Sequence, residues 1–541
     1  LYVEGNFIDV VKGEIYPAKI TFSKTIEKIE RTKKTYDTYI SAGFIDSHIR
    51  IEDSFINPIE YTKHALLSGV TSVVEDVSGY FISAGGDGIK YLTTTFSKLP
   101  ISFHYLFPVN LEHSKFEGSP KDLKQEEFLT LMKQKQFLGL TQIDDAKKLS
   151  QSDSQMVKRI NSAKAAGKPI ISNIPRINFT EIGNFTQMGV RADLGSTIYQ
   201  EAFEKACFGL KIKIVEGTKR KTLAGLIRLS KQFDTTIVSE EKSAQEISKG
   251  YFKTTLKKAV SLGLDPITAV QNVTINPAKL LGLEEGKLEE GAIANIIEIE
   301  DLKTFEIKRV FYEGEAVVKN GKLTPSKNDK VVEPRFKIDL PDLDAEIIAL
   351  SSKEKKEAAQ IVVINPDTLA TSLEEHSLTV TDEEIQSDIE NDVLKCVVAN
   401  KYGDEIVSIS YVKGFAIEKG AFGTTIYGSS GNIIVIGTND EDIVTGINKL
   451  KKCKGGFVAV DKKRETCFEL NILGVVSTLT AEEVHEEMKK CNQFVKRLGC
   501  KIPEPFLALG SLMDLNKKGY RISDKGVFNT GTEEFIQVLK E

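Results

Sequence analysis

Residues 43–54, "GFIDSHIRIEDS", carry an apolar, β-branched run into an Asp-Ser-His turn. Read as a strand, the stretch sets His48, Arg50 and Glu52 two apart and so on one face. A His-x-His there would place two metal ligands on one wall of a site. The second position is instead Arg50. Two questions follow: what fold holds such a strand, and whether its end still binds a metal.

The neighbouring sequence answers the first. "GFIDSHIRI" leads into the amphipathic "NPIEYTKHALLSG" (57–69) and then "TSVVEDVSG" (71–79). Further strand-like runs follow: "PISFHYLFP", "FLGLTQID", "GKPIISNIP", "KIKIVEG" and "TTIVSEE", each trailed by a helical pattern. Strands alternating with helices predict parallel β/α units, and seven or eight of them predict a (β/α)₈ TIM-like barrel over 43–279. The first 40 residues and 291–324 read as short strands, which predicts a small composite β domain built from 1–42 and 280–325. The charged, Pro-containing 326–346 reads as a linker, and 347–541 as a separate C-terminal α+β domain. In that domain "TAEEVHEEMKKCNQFVKRLGC" opens with Thr480 and Glu483 in capping-box spacing.

Composition narrows the function classes. The chain has 541 residues, is 41% hydrophobic and 28% charged, and has a net charge of −5 with 72 basic and 77 acidic residues interspersed. That balance predicts a folded protein with neither a nucleic-acid footprint nor a membrane-binding face. No apolar run reaches the length of a membrane span, and the opening "LYVEGNFIDVVKGEI" is expected to be structured sequence, not a signal peptide, in a chain trimmed of its initiator Met. The six cysteines contain no C-x-x-C, so reduced thiols in a cytoplasmic protein are expected.

With these motifs in view, the chain resembles adenine deaminases of the amidohydrolase superfamily over nearly its whole length. "GFIDSHIRIEDSFINPIEY" is similar to the family's G-F-I-D-x-H-x-H-I-E-S-S and its Pro-initiated helix. "GVTSVVEDVSG" sits where the family has G-T-T-x-V-x-x-D-P-H-E, and "AVSLGLDPITAVQNVTINPAKLLGL" resembles its late-barrel helix and T-x-N-P-A turn. "YVKGFAIEKGAFGTTI", "GNIIVIGTNDEDI" and "EPFLALGSLMDLNKKGYRISDKGVFN" resemble its C-terminal domain. The resemblance implies an amidohydrolase-type barrel and hydrolytic loss of ammonia from adenine by a metal-held hydroxide at the barrel mouth. It also implies a homo-oligomer, dimeric or higher, and a purine or other small-molecule ligand.

Carried over residue by residue, the resemblance implies a depleted metal site. His48 is kept, but the second His is Arg50; Glu52 is kept and the following Ser is Asp53. Asp76 remains while the His and Glu of its turn are Ser78 and Gly79. The bridging Glu is Gln142, the His of H-x-P is Asn173, and D-H-E reads Asp193, Leu194, Gly195. The late T-D-D is Ser239, Glu240, Glu241, and the C-terminal H-D-S-H-N is Gly428, Ser429, Ser430, Gly431, Asn432.

The expected remnant site is therefore His48, Arg50, Glu52, Asp53, Asp76, Gln142, Asn173 and Asp193, with Glu240 and Glu241 as candidate acid/base residues and no metal ligand set. Arg50 has no lone pair to give a metal; it is expected to pair with Glu240, Asp76 or Glu52, against the plainer reading of an incidental surface cation. His48 alone reads first as a hydrogen-bonded core histidine, with His104 or His113 as the imidazoles that could reach the mouth. "SEE" is also an ordinary acidic strand end. "SAGGDG" (83–88) reads as a loop or a site rim, "GSSGN" as a weak anion cradle, and Asp46 as an orienting residue.

Two function readings stay open. The leading one is a family member without catalysis or strongly impaired, keeping its scaffold for ligand binding or assembly, with no cofactor. The alternative is an active hydrolase converting adenine to hypoxanthine and ammonia, or acting on a related substrate. It would use a divalent Mn, Fe or Zn in a reduced site, or none.

Overall fold

The computed structural model describes residues 1–109, 115–120, 123–143, 155–174, 177, 179–325, 330–462 and 464–539; the side chains of 142, 143, 155 and 179 are not described. His113, the side chain of Gln142 and the start of the expected linker (326–329) lie outside the described residues. The chain forms two compact units. One comprises Leu1–Gly79, Ile89–Glu112 and Leu123–Val331; the other comprises Tyr80–Gly88, His113–Asp122 and Val332–Glu541.

In the first unit, the opening strands β1 (Tyr2–Asp9), β2 (Glu14–Phe22), β3 (Ile26–Arg31) and β4 (Tyr39–Ala42) precede eight barrel strands. These are β5 (Phe44–Ile49), β6 (Val70–Asp76), β7 (Ser102–Pro108), β8 (Phe137–Ile143), β9 (Ile170–Ser172), β10 (Val190–Asp193), β11 (Lys211–Val215) and β12 (Thr236–Val238). They lie side by side in chain order, and each neighbouring pair is parallel. β5 and β6 are buried along their whole length, as parallel strands covered on both faces must be. Val74, Leu106, Leu138, Ile171, Ala192, Val215 and Val238, one from each strand β6 to β12, belong to one apolar cluster.

The seam between first and last strands closes just beyond β12. Glu240 donates its N–H to the His48 carbonyl (2.8 Å), and Arg50 donates to the Glu240 carbonyl (2.7 Å). Glu240 adopts φ +57° there, a left-handed conformation unusual for a non-glycine residue. The hydrogen bonds that close the barrel thus run through three of the expected site positions.

The last strands of this unit are β13 (Ile296–Ile299), β14 (Ile307–Tyr312), β15 (Glu315–Lys319) and β16 (Lys322–Leu323). They join the opening strands in one sheet of order β16-β15-β14-β13-β4-β1-β2-β3. Chain segments on either side of the barrel therefore share one core, with Val3, Phe7, Ile20, Phe22, Ile40 and Phe311 packed together.

The second unit holds a nine-stranded sheet. Its strands are β17 (Lys356–Ile364), β18 (Thr371–Thr381), β19 (Glu384–Ile385), β20 (Val393–Ala399), β21 (Val407–Lys413), β22 (Ala421–Thr424), β23 (Ile433–Gly437), β24 (Gly456–Asp461) and β25 (Arg464–Glu469). Their order is β19-β18-β17-β21-β20-β23-β22-β24-β25. The helix Asp440–Lys452 buries Ile443, Ile447 and Leu450 against Val397, Val435 and Val458 of that sheet. The helix Ala481–Arg497 opens with the expected capping box, Thr480 and Glu483 each meeting the other's backbone N–H. Among the described residues no helix is long and apolar enough to cross a membrane.

Three local expectations change. The strand of the opening stretch ends at Ile49, and Glu52 and Asp53 sit on a 3₁₀ turn, Ile51–Ser54, so strand spacing does not carry beyond His48. "SAGGDG" is no loop; it lies inside the helix Ser78–Phe96, broken only at Gly85 (φ +55°). "GSSGN" turns its polar groups inward: Ser429 N–H donates to the Met513 carbonyl (3.3 Å), its hydroxyl to Glu117 (2.8 Å), and the Asn432 amide to the Gly118 carbonyl (3.0 Å).

Asp46 holds the seam from below. It accepts from the Ser239 N–H (3.2 Å) and from the Tyr251 hydroxyl, which also meets Tyr61. Burial pushes its carboxyl pKa up, and these donors offset part of that. Tyr251→Phe removes the hydroxyl and is expected to cost about 1–3 kcal/mol of stability, read as a lower urea midpoint; an unchanged midpoint contradicts this role.

Candidate functional site at the barrel strand ends

The expected site residues fall at or just beyond the C-terminal ends of the barrel strands, where barrels of this kind place their chemistry. His48 lies near the end of β5, Asp76 ends β6, Asn173 follows β9, Asp193 ends β10, and Glu240 and Glu241 follow β12. Gln142 lies on β8, its side chain beyond the described part.

His48 is 2% exposed, with Nε2 3.8 Å from Asp76 and Nδ1 buried with no hydrogen-bond partner among the described residues. Burial, with Lys213, Arg50 and Arg220 nearby, holds its pKa well below the usual histidine range, so the ring is neutral at pH 7. Asp76 accepts from the backbone and hydroxyl of Ser78. His104 pairs with Glu285 (3.2 Å) and His64 with Glu60 (3.2 Å). His104, in the third of the five residue pairs of β6 and β7, lies two pairs short of the Asp76 end. Among the described residues, His48 is the only imidazole at these strand ends.

Arg50 finds a carboxylate, though not one of the three expected. Its guanidinium meets Asp53 at 2.7 Å, three residues on in the 3₁₀ turn. Burial works against its charge, but Asp53, Glu240, Asp76 and Glu52 together more than offset that. Glu240 is taken by a residue that sequence reading missed. Arg220, in the turn after β11, grips both Glu240 oxygens through Nε (2.7 Å) and Nη2 and donates its third nitrogen to Asn173 Oδ1 (2.8 Å). A planar guanidinium suits such a bidentate contact.

Glu241 faces the same turn. Its carboxylate accepts the backbone N–H groups of Thr218 (2.9 Å), Lys219 (3.0 Å) and Arg220 (2.8 Å). The turn passes so close that a Cβ on Gly217 would lie 2.6 Å from a Glu241 oxygen. Glu241 thus shapes the loop that delivers Arg220.

A second missed cation neutralises Asp193. Lys205, fully buried on the helix Tyr199–Cys207, donates to Asp193 (3.0 Å), to Glu201 (2.8 Å) and to the Ile174 carbonyl (2.7 Å). Ser172 and Ser196 complete the Asp193 shell. Lys213, on β11, donates to the Ser47 carbonyl (2.7 Å), and burial brings its pKa down to about 7.

Three positions implied to lie around a metal, Asp53, Asp193 and Glu240, thus each carry a cation of the chain. Asn173, where the family has an imidazole, offers its oxygen to one of those cations. At these positions one imidazole stands against two guanidiniums, and the carboxylate of Glu52 is left without a bonded cation among the described residues. Sequence reading missed Arg220 and Lys205 because a Lys or Arg in a turn or on a helix is ordinarily a solvated charge.

Glu52 accepts from the Gly79 N–H (3.0 Å). Burial and the neighbouring Asp53 raise its pKa from 4.5 to about 8, the pull of Arg50 notwithstanding. A folded-state pKa above the unfolded one stabilises fully below the unfolded value and fades as pH rises through the folded value. The urea midpoint is therefore expected to fall between about pH 4.5 and 8, and Glu52→Gln to flatten that slope; an equal slope in the variant contradicts the assignment. Lys205→Met strands two buried carboxylates and is expected to cost about 3–5 kcal/mol by urea unfolding; a loss under ~1 kcal/mol, the range of exposed pairs, contradicts it.

Comparison with known proteins places these observations in a family. The amidohydrolase family model matches residues 39–174 and 233–317, and the adenine deaminase C-terminal domain model matches 368–534. An adenine deaminase of Methanosphaera stadtmanae is 30% identical, covering 100% of both chains. One of Methanothermobacter thermautotrophicus is 26% identical over 99% of this chain and 100% of its own. Another, of Borreliella burgdorferi, is 29% identical over 99% of each. Among solved structures, a β-aspartyl dipeptidase of Fervidobacterium islandicum is 15% identical with a TM-score of 0.47, covering 60% of this chain and 98% of its own. An N-acetylglucosamine-6-phosphate deacetylase of Thermotoga maritima is 14% identical with a TM-score of 0.43, covering 59% and 100%.

Proposed function

Given that the chain belongs to the adenine deaminase family, as its full-length identity to the Methanosphaera stadtmanae protein shows, we propose that its barrel mouth keeps a purine-class site without efficient metal-dependent deamination. The observation that carries this reading is the pairing of strand-end carboxylates with the chain's own cations: Asp53 with Arg50, Glu240 with Arg220, and Asp193 with Lys205. A metal would have to displace the bidentate, partly exposed Arg220 guanidinium from the buried Glu240 carboxylate. In this reading His48, neutral and with no hydrogen-bond partner for Nδ1 among the described residues, is available to a ligand's N–H, and Asp76 sits beside it. A cytoplasmic setting belongs to the same proposal and rests on the cysteine pattern of the sequence, which has no C-x-x-C. Homo-oligomeric assembly, dimeric or higher, belongs to the same proposal and rests on family resemblance.

A second reading has the comparisons behind it. Relatives called adenine deaminases align over the whole chain, across barrel and C-terminal domain alike. They support an active hydrolase that converts adenine to hypoxanthine and ammonia. It would need a divalent ion such as Mn, Fe or Zn to generate hydroxide at neutral pH, or a metal-free route through Glu240.

The two readings separate in one experiment. Protein from cells grown with added Mn, Fe and Zn is analysed for metal, for ammonia release from adenine, and for adenine binding by calorimetry. The proposal expects measurable adenine binding, far less than one metal per chain, and ammonia release at least about 10³-fold below the ordinary kcat range. Near-stoichiometric metal with turnover overturns it in favour of the second reading, and absence of adenine binding overturns the purine site.

A further inference from the structure

The second unit brings together three of the chain's six cysteines. Cys453 caps the C-terminal end of the helix Asp440–Lys452, and Cys467 lies on β25, the edge strand of the nine-stranded sheet. Their sulfurs are 2.8 Å apart, with the Cys467 thiol donating to Cys453 and the Cys453 thiol facing Glu469 Oε1 at 3.3 Å. That separation is only about 0.75 Å beyond the ~2.05 Å of a sulfur–sulfur bond. Cys491, on the helix Ala481–Arg497, contacts Thr466 (3.9 Å).

The topology makes this pair specific. β24 and β25 form a hairpin with Val458 opposite Cys467, and the helix end delivers Cys453 onto the same strand. Cys453 is buried while Cys467 is intermediate in exposure, so Cys467 is the more accessible residue of the pair. A soft metal ion bridging two thiolates needs sulfurs ~4 Å or more apart, given metal–sulfur bonds of ~2.3 Å; the present spacing suits direct bonding.

We propose that Cys453 and Cys467 form a reversible dithiol–disulfide site, with a hydroperoxide as oxidant. The partly exposed Cys467 thiolate attacks the peroxide oxygen, breaking the O–O bond, giving a sulfenic acid and releasing water or alcohol after protonation. Cys453 then attacks that sulfur, the S–O bond breaks, a second water leaves, and the S–S bond forms. Two thiols are oxidised by two electrons and one peroxide is reduced. The hydrogen bond to Cys453, with burial, raises the pKa of Cys467, so its thiolate is scarce and the first step is slow. The bond would tie the C-terminus of the helix to the edge strand, closing a short loop in a domain where the thiols are otherwise free.

The full-length protein, treated with hydrogen peroxide and digested without reductant, tests this by mass spectrometry. The expected result is one cross-linked peptide pair joining Cys453 and Cys467, about 2 Da lighter than the two reduced peptides together and restored by dithiothreitol. The urea midpoint should rise on oxidation and fall back on reduction. Cys467→Ser should abolish the cross-link, while Cys491→Ser leaves it intact. The proposal is overturned if a dose that oxidises the exposed Cys207 leaves Cys453 and Cys467 both alkylatable. It is equally overturned if the cross-link joins Cys491. Mapping the unaltered chain keeps the test decisive should a variant fail to fold.

Discussion

The contact on which the barrel mouth depends is the grip of Arg220 on Glu240. Glu240 closes the barrel through its backbone, bonded to His48 on one side and Arg50 on the other. Its side chain is almost wholly buried, and a carboxylate there would be costly without a cation. Arg220 supplies that cation in bidentate form and draws Asn173 into the same arrangement. The turn that carries Arg220 is held in turn by Glu241 through three backbone N–H groups. The adjacent acids of "SEE" thus divide the work, one receiving the guanidinium and the other fixing the loop that brings it.

The same rule recurs around the mouth. Asp193 meets Lys205, and Asp53 meets Arg50. Asp76 is served by Ser78 hydrogen bonds, and Glu52 stands far above its ordinary pKa, as a buried carboxyl does where net cationic support falls short. Asp53, Glu240 and Asp193 are each met by a cation of the chain. The pattern is local chemistry within a family fold: full-length identity sets the ancestry, and the residues at the strand ends set what that scaffold can do.

The barrel and the sheet shared by the segments flanking it were legible in the sequence. The alternation of "FIDSHI", "TSVVED", "ISFHYLFP" and "IVSEE" with helical runs is a strong periodic signal, and continuous burial along the strands explains it. The readings at Arg50, Ser78, Asn173 and Leu194 rest on the motifs of fixed spacing that the chain resembles. The partners were not legible. Arg220 and Lys205 lie 20 and 12 residues from the acids they meet, in a turn and on a helix, and only the fold brings them there. Arg50 was paired in expectation with Glu240, Asp76 or Glu52, and the structure gives it Asp53, because the strand ends at Ile49 and the 3₁₀ turn folds Asp53 back. "SAGGDG" misled in the same way: its glycines lie within a helix where only Gly85 takes a positive φ.

The central claim is that the chain's own cations occupy the positions a metal would neutralise. An anomalous-scattering measurement on crystals of the protein soaked with manganese tests it most directly. The account predicts no anomalous peak beside His48, with Arg220 still bidentate on Glu240 and Lys205 still on Asp193. A strong peak coordinated by His48 and Glu240, with Arg220 turned away, would contradict it.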